Sequence, residues 1–130
     1  MKAKQALGRK FGMSYEIYLP QTFQRCIKSL RKKFPHIKDD LSPLFQSLQN
    51  SPQIGDPIPG WGRKIWKVRV SSRDLKRGKS GGFRVIYAWT AGQPILYPLF
   101  IYFKGEKEDI TKEEIENLLR KLLIELNQSD

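Results

Sequence analysis

Hydrophobic residues change their spacing repeatedly along these 130 residues, and each spacing predicts a different element. Residues 14–19 (Ser-Tyr-Glu-Ile-Tyr-Leu) read as a short strand stopped by Pro20. Phe23, Cys26, Ile27, Leu30 and Phe34 then recur three and four apart, with Arg25, Lys28, Arg31, Lys32 and Lys33 on the opposite side. That spacing predicts an amphipathic helix, with Thr22 as its expected cap and Pro35 as its stop. A second helix begins near Ile37, with Ile37, Leu41, Leu44, Phe45 and Leu48 on one face. Pro43 is tolerated there if it falls early, or it shifts the start. The connection around Pro35 is short, so the two helices should form an antiparallel hairpin.

Beyond the turn-rich residues 50–60 the period becomes two. Residues 65–71 place Trp66, Val68 and Val70 on one face and Lys67 and Arg69 on the other. Residues 83–90 alternate Phe83, Val85, Tyr87 and Trp89 against Arg84, Ile86 and Ala88. Residues 95–104 are almost wholly apolar, as in a central strand. Pro98 removes a ladder donor, so a bulge or an edge is expected there. Ala91-Gly92-Gln93 supplies the hairpin turn. Thr111-Lys-Glu-Glu114 matches a capping box and opens a last helix with Ile115, Leu118, Leu119, Leu122 and Leu126 on its apolar face. The predicted fold class is α+β: strand, helical hairpin, antiparallel three-stranded meander and C-terminal helix, with the helices on one face of the sheet. Residues 14–127 form a single domain behind a basic N-terminal extension, residues 1–13.

Composition narrows the function. Hydrophobic residues at 39% and aromatics at 12% suffice for a packed core and exclude a disordered chain. The single Cys26 excludes an intramolecular disulfide and a Cys-based zinc site, and suits a reducing cytoplasm. One histidine, His36, and no carboxylate pair near the basic strands leave no expected metal or cofactor site. No apolar run approaches the ~20 residues that span a bilayer, so no membrane partner is expected. The N-terminus is basic without an apolar stretch, which makes it a solvated tail or an RNA-grazing arm and not a secretory signal.

Charge is where the chain departs most from an ordinary small domain. Lys and Arg number 24 against 13 acids, a net +11. Residues 61–84 alone hold nine of those bases against one acid, Asp74, whereas residues 106–130 hold four bases and eight acids. The cations lie on and between two strands, which makes them a fixed surface suited to phosphates. Lys67 and Arg69 share a face, and Arg84 opens the neighbouring strand, so the three can lie side by side. Lys104 and Lys107 follow the last strand. No Asp or Glu is interleaved within this predicted strand face, and its self-repulsion is costly unless a polyanion is present. Arg73, Lys76, Arg77 and Lys79 extend the candidate RNA-binding surface along the connecting loop. Of Tyr102 and Phe103, one should face the core and the other stand beside the cations to stack on RNA; Tyr102 is the candidate.

Other motifs are weaker. Gly78-Lys-Ser resembles the end of a P-loop, but Arg73 stands where the first glycine is required and a strand follows instead of a helix. The glycines of 78–82 more simply permit a tight turn. Cys26 reads as core and His36 as a turn residue. Trp61 either packs on the sheet or offers a stacking platform for a base.

The run Gly62-Arg-Lys-Ile-Trp-Lys-Val-Arg-Val, then Lys79-Ser-Gly-Gly-Phe-Arg-Val-Ile-Tyr87, then Phe100-Ile-Tyr-Phe-Lys-Gly-Glu-Lys-Glu-Asp-Ile110 is similar to the RelE/ParE toxin superfamily. The RelE-like and HigB-like toxins of type II toxin–antitoxin pairs resemble it most, over roughly residues 14–124. The resemblance implies a ribosome-dependent endoribonuclease that cuts mRNA by attack of a 2′-hydroxyl on the adjacent phosphate. It implies Lys67, Arg69, Arg84 and Lys104 as catalytic residues. A lysine whose pKa neighbouring cations depress would act as base, and arginines would hold the phosphate. Two family positions differ: an arginine expected after Lys104 is Gly105, and a late tyrosine is Thr111. Tyr102 and Lys107 are candidate substitutes. The implied partners are mRNA, the ribosome and a cognate antitoxin that binds DNA. The antitoxin would carry an acidic or amphipathic stretch that either covers Lys67, Arg69 and Arg84 or docks across the helical hairpin. A ParE-like gyrase inhibitor and a catalytically degenerate nucleic-acid-binding protein are the alternatives.

Overall fold

The computed structural model describes residues 14–75 and 81–128, so the N-terminal extension and Lys76, Arg77 and Lys79 lie outside the described residues. Strand β1 (Glu16–Ile17) leads to helices α1 (Gln21–Arg31) and α2 (Ile37–Asn50), then to the short β2 (Asp56–Pro57). Strands β3 (Ile65–Val70), β4 (Phe83–Ala88) and β5 (Ile95–Phe103) follow, and α3 (Lys112–Asn127) ends the chain. The meander is antiparallel, and the sheet order is β1-β5-β4-β3-β2. The expected first strand is shorter than residues 14–19 and forms one edge, and β2, which was not expected, forms the other. β1 runs parallel to β5, and β2 pairs antiparallel with β3, with Pro57 on the edge where it withholds no needed donor.

Alternation holds as expected. Val68, Val70, Phe83, Val85 and Ile101 pack under the helical hairpin with Phe23, Ile27, Phe34, Ile37 and Leu41. Beside them Tyr15, Leu48, Trp66, Tyr87 and Leu96 close the same face. The Tyr87 hydroxyl donates to the Pro52 carbonyl at 2.6 Å and accepts from Gly55 N–H at 3.1 Å, which ties the 52–55 turn to the sheet. Pro98 sits opposite Tyr87, and the ladder slips by one residue between Ile86 and Tyr87. The bulge leaves Leu99 without a partner in the register and removes the need for a proline donor.

Two expectations change. The helices do not share one face: α3 covers the other side, where Ile65, Ile86, Leu99 and Tyr102 pack against Ile115, Leu118 and Leu122. The reason is visible in β4 and β5, since Ile86, Ala88, Tyr97 and Phe100 are too apolar to meet water. Nor does Thr22 cap α1. The helix starts two residues earlier, after Pro20, without a side-chain cap. Instead Glu125 of α3 accepts from Gln21 N–H at 3.0 Å and from the Tyr18 hydroxyl at 2.7 Å, a carboxylate at a helix N-terminus supplied from the far end of the chain. α2 begins at Ile37 and runs through Pro43. The capping box of α3 forms on both arms, Thr111 Oγ1 to Glu114 N–H at 3.1 Å and Glu114 Oε1 to Thr111 N–H at 2.8 Å.

Candidate functional site

The register sets a row of three side chains across three strands. Arg69 on β3 is the cross-strand partner of Arg84 on β4, and Arg84 is the partner of Tyr102 on β5. Lys67 lies two residues from Arg69 on the same face. This is the α3 side of the sheet, at the end that α3 leaves open. The face is therefore divided: an apolar half under α3 and a cationic half beyond it.

Two arginines directly opposite each other repel, at a cost of order 0.2–1 kcal/mol for such a cross-strand pair. Among the described residues no acid pairs with either. Arg84 donates through one terminal nitrogen to the carbonyls of Gly81 and Phe83, both at 3.3 Å. These are long contacts, and carbonyls do not neutralise a charge. The Arg69–Arg84 pair is thus set up for an anion that can bridge two guanidiniums.

The lysines differ. Lys67 meets Asp109 at 3.1 Å, Lys104 meets the Glu108 carboxylate at 3.2 Å and its carbonyl at 2.7 Å, and Lys107 meets Glu114 at 2.6 Å. The expected face free of acids is corrected here. Strands β3, β4 and β5 hold no acid, but Asp56 of β2 is the register partner of Lys67, and Glu108 and Asp109 from the segment after β5 and Glu114 from α3 meet the three lysines. The group nearest the Lys67 ammonium is a carboxylate and not a neighbouring cation. The signal in the sequence was the alternation of bases and acids through residues 104–114, which the structure converts into pairs.

Asp109 titrates below its ordinary range because the Ile110 N–H and then Lys67 donate to it. Glu114 is lowered mainly by Lys107 and then by the Thr111 N–H. Asp74 is lowered by His36, whose ring lies 2.7 Å away and whose backbone N–H donates at 2.9 Å. A lowered carboxyl adds stability that is complete above its ordinary value, 3.8 for Asp and 4.5 for Glu, and is lost as pH falls through the folded value. Acid titration followed by circular dichroism should therefore show stability falling below about pH 4.5, with Asp74→Asn flattening part of that slope. A stability independent of pH from 5 to about 2 contradicts these assignments.

Several candidates lie elsewhere. Arg73 is drawn to α2, where its side chain meets the nearly buried Asp40 carboxylate at 2.9 Å and its backbone N–H donates at 3.2 Å. It anchors the loop to the hairpin and does not join the row. Tyr102 is buried, 4% exposed, so its ring offers no stacking surface. Phe103 is the partly exposed neighbour, but it packs on Phe34 at 4.9 Å. Trp61 takes its packing role and lines an apolar groove of about 430 Å³ with Ile65, Leu119 and Leu122. Cys26 is half-buried against the hairpin core, and burial pushes its thiol up. Among the described residues no cluster of three His, Cys, Asp or Glu could hold a metal, and no helix is long and apolar enough to cross a membrane.

Sequence reasoning offered the Tyr102 hydroxyl as a candidate substitute for a missing family group, but beside the cations and not as a buried group. It is buried with no hydrogen-bond partner among the described residues. Burial, then the charge of Asp109, push its pKa to about 12, with Arg84 opposing and Glu114 assisting.

No family model matches the chain. Its structure is similar to that of the E. coli toxin RelE, solved as a double arginine-to-alanine mutant in the free state, with a TM-score of 0.54 at 15% identity. The match covers 84% of this chain and 98% of that one. Built from a strand, a helical hairpin, an antiparallel meander and a C-terminal helix, and matched over nearly the whole of that structure, this chain has the RelE-like toxin fold.

Proposed function

We propose that this protein is the toxin of a type II toxin–antitoxin pair and a ribosome-dependent mRNA endoribonuclease. The observation that carries the reading is the Arg69–Arg84 cross-strand pair, which has no acidic partner among the described residues. Two guanidiniums on one rigid sheet can hold a phosphate in two directions and stabilise the extra charge of its transition state. The 2′-oxygen attacks the adjacent phosphorus, its proton passes to a base, and the bond to the 5′-oxygen breaks. That oxygen takes a proton, leaving a 2′,3′-cyclic phosphate and a 5′-hydroxyl. In this reading Lys67 serves the proton transfer once Asp109 has left it, and Lys104 adds charge at the margin. Alignment in the ribosomal decoding site supplies the geometry that a free, flexible RNA lacks.

The test is a primer-extension map of cellular mRNA after induced expression. Cuts confined to translated frames support the reading. Growth arrest with intact mRNA and inhibited gyrase returns the ParE-like alternative, and neither effect leaves a nucleic-acid-binding protein without activity. Cleavage should also survive EDTA at levels that leave the ribosome intact, because the proposed roles fall on cationic side chains. Loss of activity restored by added divalent ion would contradict that assignment. The cognate partner in this reading is an antitoxin that binds DNA, and the site of action is the cytoplasm.

A further inference from the structure

Tyr102 holds a polar atom in a place where polar atoms are normally satisfied. Its hydroxyl is fully covered and unpartnered among the described residues, at the end of the Arg69–Arg84 row. The ring cannot turn away, since it packs beside Phe100 at 5.9 Å and within the cluster of Ile65, Ile86 and Ile115. Native folds rarely leave a buried hydroxyl unbonded unless a water or a ligand completes it. The charges that act on it are Asp109, Glu114 and Arg84. Asp109 is two-thirds exposed and is held by the Ile110 N–H and by Lys67, contacts that a phosphate oxygen could equally accept.

We propose that the Tyr102 hydroxyl is the third phosphate donor of this site, in line with Arg69 and Arg84, and that Asp109 occupies the phosphate's place in the free protein. This rests on the RNA-cleaving reading only in naming RNA as the source of the phosphate. An exposed ion pair such as Lys67–Asp109 is weakly held, so an incoming phosphodiester displaces the carboxylate and takes over Lys67. The hydroxyl beneath then donates to a non-bridging oxygen. No bond is made or broken in this step, and the phenol keeps its proton, as its burial and the two nearby carboxylates favour.

A 2′-O-methyl trinucleotide is a suitable probe, because its blocked nucleophile prevents cleavage. Its affinity should be measured by calorimetry for the wild type, Tyr102→Phe, Asp109→Asn and Glu116→Gln. Tyr102→Phe should weaken binding by about 10-fold or more, the usual loss of one hydrogen bond to a charged group. Its melting temperature should not fall, because no protein bond is lost. Asp109→Asn should tighten binding several-fold. Glu116→Gln, the same charge change on the exposed side of α3, should tighten it less. Equal affinity of Tyr102→Phe and wild type overturns the proposal, and is also the result expected if a trapped water alone satisfies the hydroxyl. Failure of the wild type to bind the probe overturns it too. An equal gain from Glu116→Gln and Asp109→Asn overturns the role given to Asp109. Ribosomal cleavage of all-ribose mRNA separates the two readings. Tyr102-dependent binding without cleavage removes the ribonuclease and keeps the phosphate contact, whereas cleavage with Tyr102→Phe unimpaired in binding does the reverse.

Discussion

Arg84→Ala should lower mRNA cleavage in a translating extract by about 10²–10³-fold, the cost of losing one aligned donor to a transition-state oxyanion. The magnitude follows from position. Arg84 is the central member of the row, with Arg69 on one side and Tyr102 on the other, and it is half-buried. Its protein contacts are two 3.3 Å approaches to carbonyls, so removing it costs the fold little and relieves the repulsion from Arg69. Arg84→Lys keeps the charge but not the planar fork, and should recover only part of the rate. Single-turnover cleavage and a thermal melt on the same preparations check both parts. A folded Arg84→Ala protein that cuts at the wild-type rate would remove Arg84, and with it the main support for the phosphate site.

The second large effect is on stability. Phe34→Ala should destabilise the protein by roughly 3–5 kcal/mol, the range for deleting a buried phenyl ring. Phe34 lies just beyond α1, 2% exposed, where the hairpin turns. Its ring meets Phe83 edge-on at 5.0 Å and Phe103 at 4.9 Å, the first residue of β4 and the last of β5. One side chain thus joins the hairpin to the two strand ends that carry Arg84 and Lys104. Domains of this size are stable by only about 5–15 kcal/mol, so the melting temperature should drop by roughly 10–20 °C. Chemical denaturation with the slope unchanged would confirm a loss of packing. A change under 1 kcal/mol would show that the hairpin and the sheet are not coupled through this ring.

Much of this molecule was legible along the chain because its rules are local. Alternation at Trp66, Val68 and Val70 and helical spacing at Ile37, Leu41 and Leu48 place side chains relative to their own backbone. The capping box at Thr111 and the conflict at Pro98 are local too, so the α3 start and a bulge were foreseeable. The common face of Lys67, Arg69 and Arg84 followed from period two together with antiparallel pairing. The carboxylates that meet Lys67, Lys104 and Lys107 were not foreseen, since their partners depend on how residues 104–111 turn back after β5. The same holds for Asp40 drawing Arg73 away, and for Glu125 capping α1 across more than a hundred residues. Tyr102 shows the division within one residue. Period two puts it beside Arg84, but only the packing of α3 decides that its ring is buried and its hydroxyl left unbonded. Backbone geometry is written in short-range sequence, whereas the partner of a charged or polar tip depends on chain closure between distant segments.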